Sequence, residues 1–356
     1  MSAATLASIT GAVTLVLSAL LPFVIRPLLV RLGIMDVPNA RSSHDRPILR
    51  GLGLAVLLAM AIGGAFGVSQ LITPTGTGWQ LLAVVLAGLL AAGFLGLGED
   101  LKGLSVAVRS LWLLGIAAAS AGCIAWIATR TPDASFSWVL ALDARALPVW
   151  VIVLLCVYAV FFISSYINVA NFMDGLNGIS GFHGVIAGVT FAFAGWWVGA
   201  GWLLVAGTVV AAGFAGFLPW NLSKPGAFLG DVGSYLLGGA VAVTSFAALM
   251  TAVPLLATIG PMVIYFGDVA VTLVKRVRAG HRWDEPHKEH AYQRIQQLGY
   301  SHVQASGITA ICTLATSLLG LASLFTSLLG TLVLLAAGLV VLIIYLALPR
   351  LLPRRH

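Results

Sequence analysis

Charge is scarce in this sequence: Asp, Glu, Lys and Arg make up 9% of its 356 residues, against about 25% in soluble globular domains. A chain that is also 60% hydrophobic has too little polar surface to face water, which excludes a soluble domain. Cysteine is nearly absent as well. Cys123, Cys156 and Cys312 each stand alone inside an apolar stretch, so the sequence spells out neither a disulfide framework nor a thiolate metal site. It has no low-complexity tract and no internal repeat. No basic residue precedes the first apolar run and no small-residue cleavage pattern follows it, so that run reads as a retained span and not as a removable signal peptide. The net charge of +7 makes no continuous stripe, because the basic residues punctuate apolar runs. That pattern argues against nucleic acid as a partner.

What the chain has instead is eleven apolar windows, at about 5–25, 52–73, 79–97, 109–129, 147–167, 178–198, 200–219, 233–250, 252–274, 304–326 and 328–349. Each approaches the roughly 20 residues that cross a bilayer core as a helix. The expected fold is therefore an all-α integral membrane protein of about eleven transmembrane helices, or ten, forming one polytopic domain over 1–356. Of the 19 basic residues, Arg130 and Arg145 fall in even-numbered connections, while the other 17 fall in odd-numbered ones or at the C-terminus. By the positive-inside rule the odd loops are cytoplasmic, the N-terminus is outside and the C-terminus inside. The cytoplasmic loops are then about 26–51, 98–108, 168–178, 219–233 and 275–303.

Of the twelve acids, all except Asp133 and Asp143 lie in those loops or at cytoplasmic helix ends, with Asp268 the deepest exception. A flippase or exporter of lipid-linked sugars would concentrate ionisable residues at the helix centres. A noncatalytic anchor would leave the one-sided acids unexplained. The distribution favours an enzyme whose site faces the cytosol.

Five clusters carry the candidate chemistry. In "NVANFMDGLNGI", Asn168, Asn171 and Asp174 recur every third residue, along one face of a helix end. "FLGDVGSYLLGG", Phe228–Gly239, turns tightly into a helix whose N–H groups suit an anion. Asp231 there either holds a divalent cation against phosphate oxygens or is simply an N-cap. "GLGEDLKG" sets Glu99 beside Asp100, and such a pair raises one pKa or shares a cation. "DVPNARSSHDRPILRG" offers Arg41, Ser42, His44 and Arg50, and guanidinium groups suit phosphate recognition. "PHKEHAYQRI" offers His287 and His290, whose spacing could suggest zinc but lacks a third soft ligand, so anionic substrate is the better reading.

Together, "NxxNFMDGxxG", "FxGDVGSxxLGG", the acidic pair, "DxPNxRSSHxxPxxRG" and "HxxHAYQR" resemble the polyprenyl-phosphate N-acetylhexosamine-1-phosphate transferases of glycosyltransferase family 4, over about residues 36–300. The "HxxHAYQR" form resembles the O-antigen-initiating branch more than the related phospho-MurNAc-pentapeptide translocases. The resemblance implies a bacterial cytoplasmic-membrane enzyme that transfers a sugar-1-phosphate from a UDP-N-acetylhexosamine to undecaprenyl phosphate, releasing UMP. It also implies magnesium, with manganese as a substitute, and suggests a homodimer. By motif position, Asp231 would coordinate magnesium, Glu99 and Asp100 would supply the base or a further metal ligand, and Asn171 and Asp174 would orient the nucleotide. Phe228 would stack on uracil, and Arg41, His44, Arg50, His287 and His290 would hold phosphate or sugar. Two departures stand out: Glu99 replaces the usual Asp, and Leu52 in "RGLG" replaces a glycine.

Overall fold

The computed structural model describes residues 1–31, 35–36, 48–73, 76–131, 144–223, 226–281 and 287–355. Among the described residues, eleven helical spans are long and apolar enough to cross a membrane. They are α1 (Ala3–Arg31), α2 (Gly53–Leu71), α3 (Gly78–Lys102), α4 (Val106–Ala128), α5 (Val149–Met173), α6 (Ile179–Trp197), α7 (Gly201–Leu222), α8 (Gly230–Met250), the pair α9 (Leu255–Ile259) and α10 (Val263–Arg278), α12 (His302–Ala322) and α13 (Leu328–Leu351). A short amphipathic helix, α11 (Ala291–Gln297), lies between α10 and α12. The one β-sheet among the described residues is a two-residue antiparallel ladder of β1 (Met35–Asp36) and β2 (Ile48–Leu49).

The eleven windows thus correspond to eleven spans, with informative differences. The ninth is not one helix: a 3₁₀ turn, Gly260–Met262, separates α9 from α10, because Pro261 has no N–H to continue the ladder and its ring disfavours a helical residue before it. Helix α3 runs through the acidic pair to Lys102, and α5 runs through Asn168 and Asn171 to Met173. The expected loops at 98–108 and 168–178 shrink to 103–105 and 174–178. Both helices extend past their apolar windows because their polar ends find partners in the protein.

Helix α8 is the centre of the bundle. Every residue of it except Asp231 is buried, the state expected of a helix that is apolar all round. It packs chiefly against α3 and α5, and the contacts are close because small residues meet backbone, as in other membrane interfaces. A Cβ added at Gly96 of α3 would lie 2.1 Å from the Asp231 carbonyl oxygen, and one at Gly238 would lie 2.5 Å from the Ile167 Cα. The periphery is the opposite: Trp112, Phe161 and Leu329 are more than half exposed, presenting apolar faces suited to lipid. Helix α13 is the least buried span, at 11% of its most apolar window.

Since Gly96 meets backbone that no side-chain rotation can clear, Gly96→Ala is expected to separate α3 from α8. It should cost about 1–3 kcal/mol, read as a lowered thermal midpoint of the purified protein in detergent. An unchanged midpoint would mean that the two helices are not in backbone contact.

Candidate active site

Gly230 opens α8 with φ of +76°, a conformation that favours glycine. The turn exposes the first N–H groups of the helix, and a carboxylate from another span takes them up. Asp100 Oδ1 accepts the Asp231 N–H at 3.0 Å and Oδ2 accepts the Val232 N–H at 2.8 Å. The side chain of Asp100 is only 1% exposed, so the negative charge lies against the positive end of the α8 dipole inside the protein.

Arg50 then ties Asp100 to Asp231. Its Nε lies 2.8 Å from Asp100 Oδ1 and its Nη2 lies 2.6 Å from Asp231 Oδ2. The backbone puts it there: Phe228 N–H donates to the Leu49 carbonyl, Leu52 N–H to the Phe228 carbonyl, and Gly53 N–H to the Leu229 carbonyl. Residues 49–53 therefore run alongside the segment that enters α8. From α5, the Asn171 amide donates to Asp231 Oδ1 at 2.8 Å and to Ser234 Oγ at 2.9 Å. Asp231, with 17% of its side chain exposed, is more open than Asp100.

The remaining acids behave differently. Glu99, one residue and about 100° round the helix from Asp100, turns away to Arg109 at 3.5 Å and to the Leu104 N–H at 3.1 Å. The expected repulsion between neighbouring carboxylates is absent because the two do not face one site. Asp174 is not on the α5 face with Asn168 and Asn171. It is the C-cap, with φ −86° and ψ 53°, and its Oδ1 accepts from Ser180 Oγ at 2.6 Å. Burial pushes its pKa up to about 7, with Asp231 and Asp100 acting in the same direction and the Ser180 hydrogen bond and Arg50 opposing. Asn168 is spent locally, donating to the Ser164 carbonyl one turn back at 3.0 Å. Phe228 is half-buried at the entrance to the turn. Arg41, Ser42 and His44 lie outside the described residues.

The histidine loop is organised by a residue to which sequence reasoning gave no role. Asp268, fully buried in α10, accepts the Ala291 N–H at 3.0 and 3.1 Å, the Thr272 hydroxyl at 3.1 Å and the Tyr345 hydroxyl at 2.9 Å, and lies 3.3 Å from His290 Nδ1. The available signal was simply an acid inside an apolar span, which needs partners to exist there. The ring of His287 lies 4.9 Å from that of His290. Burial, with His290 and Arg276 nearby, lowers its pKa to about 4, so His287 is neutral at physiological pH. Tyr292 joins the loop to the rest of the site: its ring stacks 5.8 Å from His290 and its hydroxyl donates to the Phe172 carbonyl at 2.9 Å, just before the Asp174 turn.

The structure thus gathers Arg50, Asp100, Asn171 and Asp231, with Asp174 within electrostatic reach and the His287–His290 loop attached through Tyr292. Glu99 and Asn168 are directed elsewhere. Among the described residues no three carboxylate, imidazole or thiolate groups converge into a metal cage. Asp231, more exposed than Asp100, is a hard oxygen donor, and Mg²⁺ typically takes one or two carboxylates plus substrate phosphates.

Residues 81–249 match the sequence model of glycosyl transferase family 4, a stretch running from α3 to α8 and including Asp100, Asn171, Asp174 and Asp231. The chain is 27% identical over 297 residues to a probable undecaprenyl-phosphate N-acetylglucosaminyl 1-phosphate transferase of Bacillus subtilis, covering 82% of this chain and 78% of that one. It is 28% identical over 309 residues to a decaprenyl-phosphate N-acetylglucosaminephosphotransferase of Mycobacterium tuberculosis, covering 78% and 72%. A phospho-N-acetylmuramoyl-pentapeptide-transferase of Enterococcus faecalis is 33% identical over 89 residues, 25% of this chain and 28% of that protein.

The raised pKa of Asp174 sets a direction for stability without ligands. Between about pH 4 and 7 the folded protein holds a proton that the unfolded chain has released, so stability falls as pH rises through this window. Asp174→Asn is expected to flatten that part of the thermal midpoint profile, recorded in detergent from pH 5 to 8. An identical slope in the variant would refute the assignment.

Proposed function

We propose that the chain, whose residues 81–249 match the model of glycosyl transferase family 4, transfers an N-acetylhexosamine-1-phosphate from a UDP-sugar to undecaprenyl phosphate. The observation that carries this reading is the open carboxylate of Asp231 at the mouth of an otherwise buried helix, braced by Asn171 and charge-paired with Arg50. An oxygen of the lipid phosphate attacks the sugar-bearing phosphorus of the UDP-sugar. The new P–O bond forms as the bridging bond to the nucleoside phosphate breaks, giving undecaprenyl-diphospho-sugar and UMP. Phosphoryl transfer depends on positioning and on neutralising charge, and these are the two things such a cluster supplies.

Asp231, with Asp174 or Asp100 behind it, is the proposed holder of Mg²⁺, which when bound would neutralise the diphosphate. Arg50 binds phosphate by exchanging part of its carboxylate pairing for substrate oxygens. Asp100 keeps the α8 N–H groups and Arg50 in place. Asp174, whose pKa lies near neutrality, takes a proton from the lipid phosphate, a role for which the outward-turned Glu99 is less suited. Phe228 stacks on uracil, and His287 and His290, fixed by Asp268, contact the phosphate or sugar. The distribution of basic residues supports a cytosol-facing site in a bacterial cytoplasmic membrane, where the product would initiate O-antigen or another surface polysaccharide. The relatives' names make UDP-N-acetylglucosamine the first donor to try.

Purified protein given undecaprenyl phosphate, Mg²⁺ and UDP-N-acetylhexosamines is expected to release UMP only when lipid is present. Asp231→Asn should lower the rate by at least about 10²-fold while leaving the thermal midpoint near that of the unaltered protein. Lipid-independent silence across the donor panel from folded protein would point to the export of lipid-linked sugars instead. Phe228→Ala is expected to raise KM for the UDP-sugar about tenfold, in keeping with about 1–3 kcal/mol for stacking on a base, with kcat little changed; a fall in kcat alone would remove the ring from the nucleotide site.

A further inference from the structure

A second polar pocket shares no residue with the Arg50–Asp231 network. It is a cavity of about 150 Å³ between α10, α11 and α13, and Asp268, Thr272, Lys275, Glu289, Arg294 and Leu346 are among its lining residues. Its acids are already engaged. Asp268 accepts the hydrogen bonds described above, and Glu289 pairs with Arg276. Its cations are not: among the described residues neither Lys275 nor Arg294 forms an ion pair. With Glu289 paired to Arg276, Lys275 and Arg294 stand against the single carboxylate of Asp268, which leaves the pocket a net positive charge.

An apolar groove of about 40 Å³ lies further along α10 and α13, beyond the point where Leu342 packs on Gly267, and is lined by Gly260 from the broken ninth span, by Thr316 and Gly320 from α12 and by Leu335, Gly338 and Leu339 from α13. Leu339 and Leu346 are seven residues apart on α13, and Val263 and Val271 are eight apart on α10. At about 1.5 Å per residue the groove and the pocket are roughly 10–12 Å apart, in the same order on both helices. Leu335 and Leu339 are 41% and 50% exposed, so the groove opens on the outside of the bundle, where bilayer lipid would be. A positive pocket at the end of a span and an apolar groove one lipid-chain segment below it match the two halves of an anionic amphiphile.

We propose that this seam binds an anionic bilayer phospholipid, its phosphate between Lys275 and Arg294 and an acyl chain in the groove at Gly338. Basic side chains at a membrane surface attract anionic headgroups, and the groove between the ninth span, α12 and α13 gives apolar room for the chain. The occupant does not react, since a phosphate in this pocket touches none of Arg50, Asp100, Asn171 or Asp231. The proposal is independent of the transferase reading.

The test uses the full-length protein, delipidated in detergent, with phosphatidylglycerol as the probe and retained lipid counted by native mass spectrometry. One phosphatidylglycerol per chain is expected to be held in preference to phosphatidylcholine. The double variant Lys275→Gln, Arg294→Gln removes only side chains that are exposed or half-exposed, and should weaken retention roughly 10- to 30-fold. Gly338→Leu approaches from the other end: a Cβ there meets nothing within 4 Å, so the larger side chain fills the groove, and it should also expel the lipid while the thermal midpoint stays within a few degrees. Equal retention of both phospholipids, or unchanged affinity in both variants, would overturn the proposal. Displacement of phosphatidylglycerol by equimolar undecaprenyl phosphate would overturn it too, by assigning the seam to the acceptor lipid.

Discussion

The site depends on one arrangement: the N-terminus of a helix buried on all sides, capped by a carboxylate from a neighbouring span. Helix α8 brings N–H groups without helical partners to the end of the bundle at which it begins, and Asp100 of α3 accepts two of them. A buried carboxylate is costly unless its charge is matched. Here it is matched twice, by the helix dipole and by Arg50. The same guanidinium fixes Asp231, so the geometry of the more open of the two acids follows from the need to satisfy the more buried one.

Close packing is what makes the arrangement rigid. Gly96 and Gly238 let α3 and α5 approach the α8 backbone, and a site built on three helices in such contact has little freedom to shift. The loops add to this. The strand-like run of Leu49–Gly53 against Phe228–Leu229 carries Arg50 into place, and Tyr292 spans from the histidine loop to the end of α5. The segment that carries Arg50 and the end of α5 are therefore each held by hydrogen bonds that do not involve the functional side chain.

Asp268 illustrates the same economy at a second location. One buried carboxylate in α10 orders the start of α11 through the Ala291 N–H, faces His290 and receives hydroxyls from α10 and α13. It faces the histidine loop on one side and lines the pocket with Lys275 and Arg294 on the other.

Hydropathy by itself determined the eleven spans, because burial in a bilayer core requires an unbroken apolar length that is written locally. The motif residues Asp100, Asn171, Asp174 and Asp231 were legible for a related reason: charge and amide groups are rare enough in this chain to stand out against the apolar windows. Direction and partnership were not legible. Whether Glu99 or Asp100 faces α8 depends on a rotation of about 100° about α3, and Asp174 leaves the face of Asn171 because α5 ends one residue earlier. The pairing of Arg50 with two acids 50 and 181 positions away, and the use of Asp268 as the anchor of His290, are contacts between elements distant in sequence. Only the packing of helices against one another decided them, because a side chain's partner is set by which helix lies opposite and no local pattern encodes that.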